Sequence, residues 1–177
     1  MKKTSIFLIV FYFCIFNCFA QEENVHVYDI QTSVSDVVFY DINEEKYEIA
    51  DFQSKPIVMF YWSRNCVPCV RGLDELSKFA EDIYNTTGAM FLMISSENEW
   101  KKPSESQEFI DKYKGYNLQS YLDKNNEIGE DFAIFSTPRM FLISPTGGLI
   151  AQIKGKADWD NPEVVDYIKT IFNNAQN

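Results

Sequence analysis

Apolar and polar residues alternate along this chain with a period that changes from segment to segment. Residues 37–40 and 46–49 are short β-prone stretches on either side of Asp41-Ile42-Asn43-Glu44, a turn composition, and together they predict a hairpin. Residues 57–62 are continuously apolar and follow Lys55-Pro56, which predicts a strand buried on both faces. From Val70 the period lengthens: Leu73, Leu76, Phe79, Ala80 and Ile83 form a helical stripe, which the segment 85–88 stops. Residues 89–94 are a second buried strand and 95–103 a polar loop. Ser104 with Gln107 gives a capping-box pattern that opens a helix through Phe109, Ile110 and Tyr113, closed by Gly115.

The remaining segments are shorter. Residues 116–122 predict a short strand and 126–132 a short helix; 139–144 and 149–153 predict an antiparallel pair joined by Pro145-Thr146-Gly147-Gly148. Asn161-Pro162 caps a last helix with the stripe Val164, Val165, Ile168, Ile171 and Phe172. Upstream, Val25, Val27 and Ile30 suggest an edge strand within 21–36. No repeat or interdomain linker interrupts this order.

The first residues are of another kind. Lys2 and Lys3 precede an uninterrupted apolar run over 6–16, within the roughly 7–15 residues of a signal-peptide core and short of the roughly 20 that span a bilayer. Cys18-Phe19-Ala20 fits a small-x-small cleavage site before Gln21, so 1–20 reads as a signal peptide. Lipidation at Cys18 is the alternative, disfavoured because Phe16 and Asn17 stand where small residues are usual. The expected location is outside the cytoplasm, in a bacterial periplasm.

Composition narrows what is left. Of 177 residues, 46% are hydrophobic and 24% charged, which suits one folded core and excludes two large domains or a disordered chain. Removing Lys2 and Lys3 takes the formal net charge from -10 to -12, which disfavours nucleic acid and anionic membrane surfaces as partners. Cys14 and Cys18 leave with the leader; Cys66 and Cys69 remain, with His26 the one histidine. That set does not assemble four zinc ligands without carboxylates or a second chain, so neither a metal nor a cofactor is expected. A closed structural disulfide and a metal site on an oligomer interface are the alternatives to a redox pair.

Strand, Cys66-Val67-Pro68-Cys69, helix, strand, helix, then Ser136-Thr137-Pro138 before a strand pair and a final helix: this order resembles the thioredoxin superfamily, specifically its exported TlpA/ResA-like branch. Phe60 to Cys69 resembles the aromatic strand end and active-site motif, and Phe141 to Gly147 the strand and turn after the proline. The resemblance implies an α/β, thioredoxin-like fold, a central mixed β-sheet flanked by helices with an N-terminal β-hairpin extension. It also implies this division: 21–36 an N-terminal extension, 37–172 the thioredoxin-like domain, 173–177 a polar tail.

The chemistry expected is thiol–disulfide exchange. A cysteine at a helix N-terminus faces free N–H groups that favour its thiolate, which makes Cys66 the nucleophile; Cys69, one turn on, would resolve the mixed disulfide. By resemblance Thr137 and Pro138, the latter cis, would bind an extended substrate peptide as an added strand, with Trp62 walling the site. Arg139 reads as a solvated surface arginine. Substrates would be protein thiols and disulfides, and the electron donor a membrane or exported partner; oligomeric state is not legible.

The family's proton relays are missing. The buried Asp that thioredoxin carries ahead of its first cysteine corresponds to Phe60, and the Glu that related exported reductases carry after the second corresponds to Gly72. Asp74 and Glu75 read as surface charges, so no general base is expected. A redox-silent peptide-binding module and an oxidase or isomerase of the same fold are the alternative functions. A peroxidase is disfavoured, since Met59 and Ser63 occupy the positions of its Pro and Thr. Val67 offers no donor to a thiolate and Arg64 adds to its stabilisation only by folding over the sulfur, so the couple is expected to be reducing.

Overall fold

A computed structural model describes residues 24–175; the predicted signal peptide and its cleavage site lie outside them. Eight strands form one mixed sheet: β1 (Val25–Ser33), β2 (Val38–Tyr40), β3 (Lys46–Glu48), β4 (Ile57–Tyr61), β5 (Met90–Ser96), β6 (Ser120–Asp123), β7 (Arg139–Ile143) and β8 (Gly148–Lys154). Their order across the sheet is β1-β8-β7-β4-β5-β6-β2-β3. β4 runs parallel to β5, and β5 parallel to β6, while β7 lies antiparallel to β4 on its other side. The α-helices are α1 (Val67–Arg71), α2 (Leu73–Thr87), α3 (Ser104–Lys112), α4 (Glu127–Asp131) and α5 (Pro162–Asn174).

The continuous apolar run explains why β4 is central. Successive side chains of a strand point to opposite faces, so Val58 and Phe60 enter one core with α2 and α5, and Ile57, Met59 and Tyr61 enter another with Phe39 and Ile128. All five residues of β4 are buried. The hairpin β2–β3 is closed by Asp41, whose Oδ1 accepts from the N–H groups of Asn43 and Glu45, both at 2.8 Å. Asn161 caps α5 as its sequence predicts, its side chain accepting from the Glu163 N–H.

Five local expectations change. The stripe from Val70 is not one helix: α1 ends at Gly72, which has the non-helical ψ of 11°, and α2 starts afresh. Ser104 and Gln107 form no capping box, because Gln107 is drawn away to clamp β6, accepting from the Ser120 N–H and donating to the Leu118 carbonyl. After α3 the left-handed residue is Lys114, φ 67°, not Gly115. Glycine is required at 115 by close approach, since a Cβ there would lie 2.5 Å from Ile110 Cγ2. Finally, β1 is the sheet edge paired with β8, yet Val27 and Ile30 stay exposed, so its alternation buries no face. The C-terminal helix also runs through Asn174, into the segment read as a polar tail.

Candidate active site

The end of β4 brings the two sequence motifs together. Tyr61, the last residue of β4, is the register partner of Arg139, the first of β7. The chain leaving β4 leads through Trp62 to Cys66, while the chain entering β7 arrives through Thr137 and Pro138, joined by a cis peptide bond. Pro138 is buried and its carbonyl accepts from the Gly155 N–H at 3.0 Å; Thr137 is half-buried, just outside the ladder.

Cys66 and Cys69 are joined as a disulfide with their Cα atoms 5.2 Å apart. Cys66 is the N-cap of α1, and its Sγ accepts from the Cys69 N–H at 3.2 Å. Pro68 sits in the first turn, where a missing N–H leaves no helical carbonyl without a donor. α1 spans five residues, so the favourable field at Cys66 comes from this local N–H and its neighbours rather than from a long helix, consistent with an effect confined to the first turn. Cys66 is 8% exposed and Cys69 3%.

Several side chains differ from their sequence reading. Trp62 is fully buried and does not present a wall to a substrate. It packs beneath the site against Trp100 and Phe109, with ring centroids 5.9 and 6.0 Å away, because the strand end points it into the core that α3 covers; its indole N–H has no partner. Arg64 lies over the same rings, 5.0 Å from the Trp100 centroid, and its Nη1 donates to the Glu99 carbonyl. Its own backbone N–H donates to the Glu99 carboxylate at 2.7 Å. The guanidinium is thus engaged on the aromatic cluster and not over the sulfur. Arg139 is half-buried rather than solvated: Nη1 donates to Gln152 and its Nε is buried without a partner.

Glu75 is likewise no simple surface charge. Its side chain folds back toward Gly72, and Oε2 is buried with no hydrogen-bond partner. Phe60, at the expected relay position, is packed between Phe91 and Trp159. Two exposed apolar side chains rim the site: Val67 between the cysteines, and Phe135, 91% exposed, just before the Ser136-Thr137-Pro138 turn.

A second polar cluster lies on the other face of β4 and has no signal in the sequence beyond an aspartate closing an apolar strand. Asp123 is fully buried and accepts from Tyr61 Oη at 2.7 Å and from the N–H groups of Ile128 and Gly129 at 3.0 Å each. Burial pushes the Asp123 carboxyl up, against the lowering effect of those donors. The Tyr61 phenol is also pushed up, first by burial and then by its hydrogen bond to Asp123. This cluster ties the end of β4 to the start of α4. Among the described residues no group of three His, Cys, Asp or Glu side chains is placed to hold a metal ion, and no helix is long and apolar enough to cross a membrane.

Known proteins share this fold. Thiol-disulfide oxidoreductase ResA of Bacillus cereus is 24% identical over 153 residues, 86% of this chain and 83% of the relative. Among solved structures, a secreted thiol-disulfide isomerase from Corynebacterium glutamicum superposes with a TM-score of 0.69 at 16% identity, covering 87% of this chain and 95% of that one. A secreted Mycobacterium tuberculosis disulfide oxidoreductase gives 0.60 at 18% identity, covering 76% and 96%. The AhpC/TSA family matches residues 29–152. With its thioredoxin-like sheet and vicinal cysteine pair, the chain belongs to the AhpC/TSA family of the thioredoxin superfamily.

Proposed function

We propose that the protein is an exported thiol–disulfide oxidoreductase that reduces protein disulfides through the Cys66/Cys69 couple. The observation that carries this reading is the Cys66 sulfur at the N-cap of α1, accepting the Cys69 N–H. That donor favours a Cys66 thiolate, which attacks a substrate disulfide; Cys69 then displaces the bound partner and closes the internal disulfide. Thr137 and Pro138 line the approach and receive the substrate chain as an added strand. Residues 1–20 act as the signal peptide, and 37–172 carry the activity. A membrane or exported partner re-reduces the couple.

The reducing direction is argued from what stabilises the thiolate. Strong oxidants of this fold, near about -120 mV, owe their potential to a very stable thiolate, whereas thioredoxin lies near about -270 mV. Here Val67 supplies no donor, α1 is short, and Arg64 is held on Trp100. Equilibrating the purified protein with glutathione buffers tests the assignment: a potential more negative than roughly -200 mV is expected, and one more positive than roughly -150 mV reverses it.

A further inference from the structure

We propose that the cleft between β1 and the end of α4 binds a free dipeptide with apolar side chains, its carboxylate held by Arg139 and its ammonium by Asp36 and Asp131. The cleft encloses about 380 Å³ and is built from segments that the disulfide chemistry leaves unused: residues of 28–37 on one side, 131–133 on the other, and β7 and β8 beneath. That volume lies at the small end of the roughly 300–1,000 Å³ of small-molecule sites. Phe141 and Leu149 make its floor and Val34 and Phe132 its flanks, so the body of a ligand meets apolar surface.

Arg139 supplies the charge that selects a carboxylate. Side chains two apart on a strand share a face, and so do directly opposed residues of an antiparallel pair. Arg139 therefore stands on the face of Phe141, whose register partner is Gln152. Gln152 lines the cleft, and its Oε1 accepts from Arg139 Nη1 at 3.3 Å. The Nε of Arg139 is buried without an acceptor, and none of the ion pairs among the described residues includes this side chain. A guanidinium offers its donors in a planar fork that matches a carboxylate, so a half-buried one without a counter-ion is suited to such a group. Burial raises the Tyr28 phenol above its ordinary value and the Arg139 charge lowers it, which puts that charge within interaction range of a residue lining the cleft.

The rim carries the opposite charge. Asp36 and Asp131 are exposed, line the same cleft and take part in no ion pair among the described residues. Two carboxylates oppose a simple anion, whereas an ammonium on the same ligand turns them into partners. A zwitterion with an apolar body satisfies the arginine, the acids and the floor together, and about 380 Å³ suits two residues rather than one. The wall at the end of α4 is strained: Ala133 has φ 49°, in the left-handed region that a residue with a Cβ rarely adopts, and backbone of this kind gathers at ligand clamps.

A nuclear magnetic resonance titration of the purified protein with leucyl-phenylalanine tests the site. The dipeptide is expected to shift the amide signals of 28–37, 131–133 and Gln152 saturably, with a dissociation constant of about 0.1 mM, the scale for a ligand of about twenty non-hydrogen atoms. Its C-terminal amide should bind at least about tenfold more weakly, because the group facing Arg139 has lost its charge. Its N-acetyl form should bind severalfold more weakly, as the loss of an exposed ion pair implies. Arg139→Gln is expected to bring the free dipeptide down to the affinity of the amide while leaving the amide's own affinity unchanged. The absence of a saturable shift up to about 10 mM would overturn the proposal. So would equal binding of the dipeptide and its amide by wild type, a comparison that needs no variant to fold. An N-acetyl form that binds as tightly as the free dipeptide would replace a free peptide with the C-terminus of a protein, and shifts confined to Cys66, Cys69 and Thr137 would place the ligand in the substrate groove; either result overturns the assignment.

Discussion

The Cys66 sulfur accepts a hydrogen bond from the backbone N–H of Cys69, 3.2 Å away, so the donor that favours one cysteine's thiolate is the amide of the other. The two side chains differ little in exposure, 8% against 3%. Differential reactivity should therefore come from thiolate stabilisation more than from access. Alkylation of the reduced protein at mildly acidic pH is expected to label Cys66 at least about tenfold faster than Cys69, read by peptide mass mapping. Equal labelling would remove Cys66 from the nucleophile's role.

Arg64 covers Trp100 and hydrogen-bonds Glu99, and this contact holds the loop that leads to Cys66. Arg64→Ala is expected to lower stability by about 1 kcal/mol, the scale of a partly exposed cation–π contact with its hydrogen bond. Denaturant titration checks the loss. The reduction potential should hardly move, because the guanidinium is turned from the sulfur; a shift of more than about 30 mV, or ~1.4 kcal/mol, would contradict this.

Phe135 is 91% exposed and makes the apolar rim beside the Thr137-Pro138 turn. Phe135→Ser should leave stability within about 0.5 kcal/mol, as surface substitutions do. Turnover of a protein disulfide is expected to fall severalfold while that of a small disulfide is retained. Equal loss on both would show that Phe135 acts on the fold or the cysteines instead of on the partner.

Asp123 gives a pH dependence with a defined sign. Its carboxyl is pushed above the ordinary value of 3.8 by burial, so the folded protein holds this proton where the unfolded chain has released it. Its contribution to stability is fully present below pH 3.8 and is lost as pH rises through the raised folded value. Asp123→Asn removes that slope. Urea unfolding between about pH 4 and 7 should show the stability of wild type falling relative to Asp123→Asn as pH rises. Parallel profiles would mean that the donors from Tyr61, Ile128 and Gly129 fully offset burial.

Processing is tested by intact mass. Protein recovered from the exported fraction is expected to begin at Gln21; a species starting at Cys18 with lipid attached would replace a free protein with a membrane-anchored one.

Much of this architecture was legible in local pattern. Continuous apolarity over 57–61 marks a strand covered on both faces, Asp41 and Asn161 close a turn and cap a helix with their own side chains, and Cys66-Val67-Pro68-Cys69 at a strand-to-helix junction announces its chemistry. These features depend on near neighbours in the chain, and a sequence records near neighbours directly. Side-chain destinations do not have that property. Trp62 and Glu75 each read one way in sequence and stand another way in space, because α3 covers the strand end that aims Trp62 inward and the Glu75 side chain folds back over Gly72. Nothing near Asp123 in the chain marks its role, because its donor Tyr61 stands 62 residues earlier. Where a side chain points follows from how separate elements pack, and that packing is a property of the whole chain folded at once.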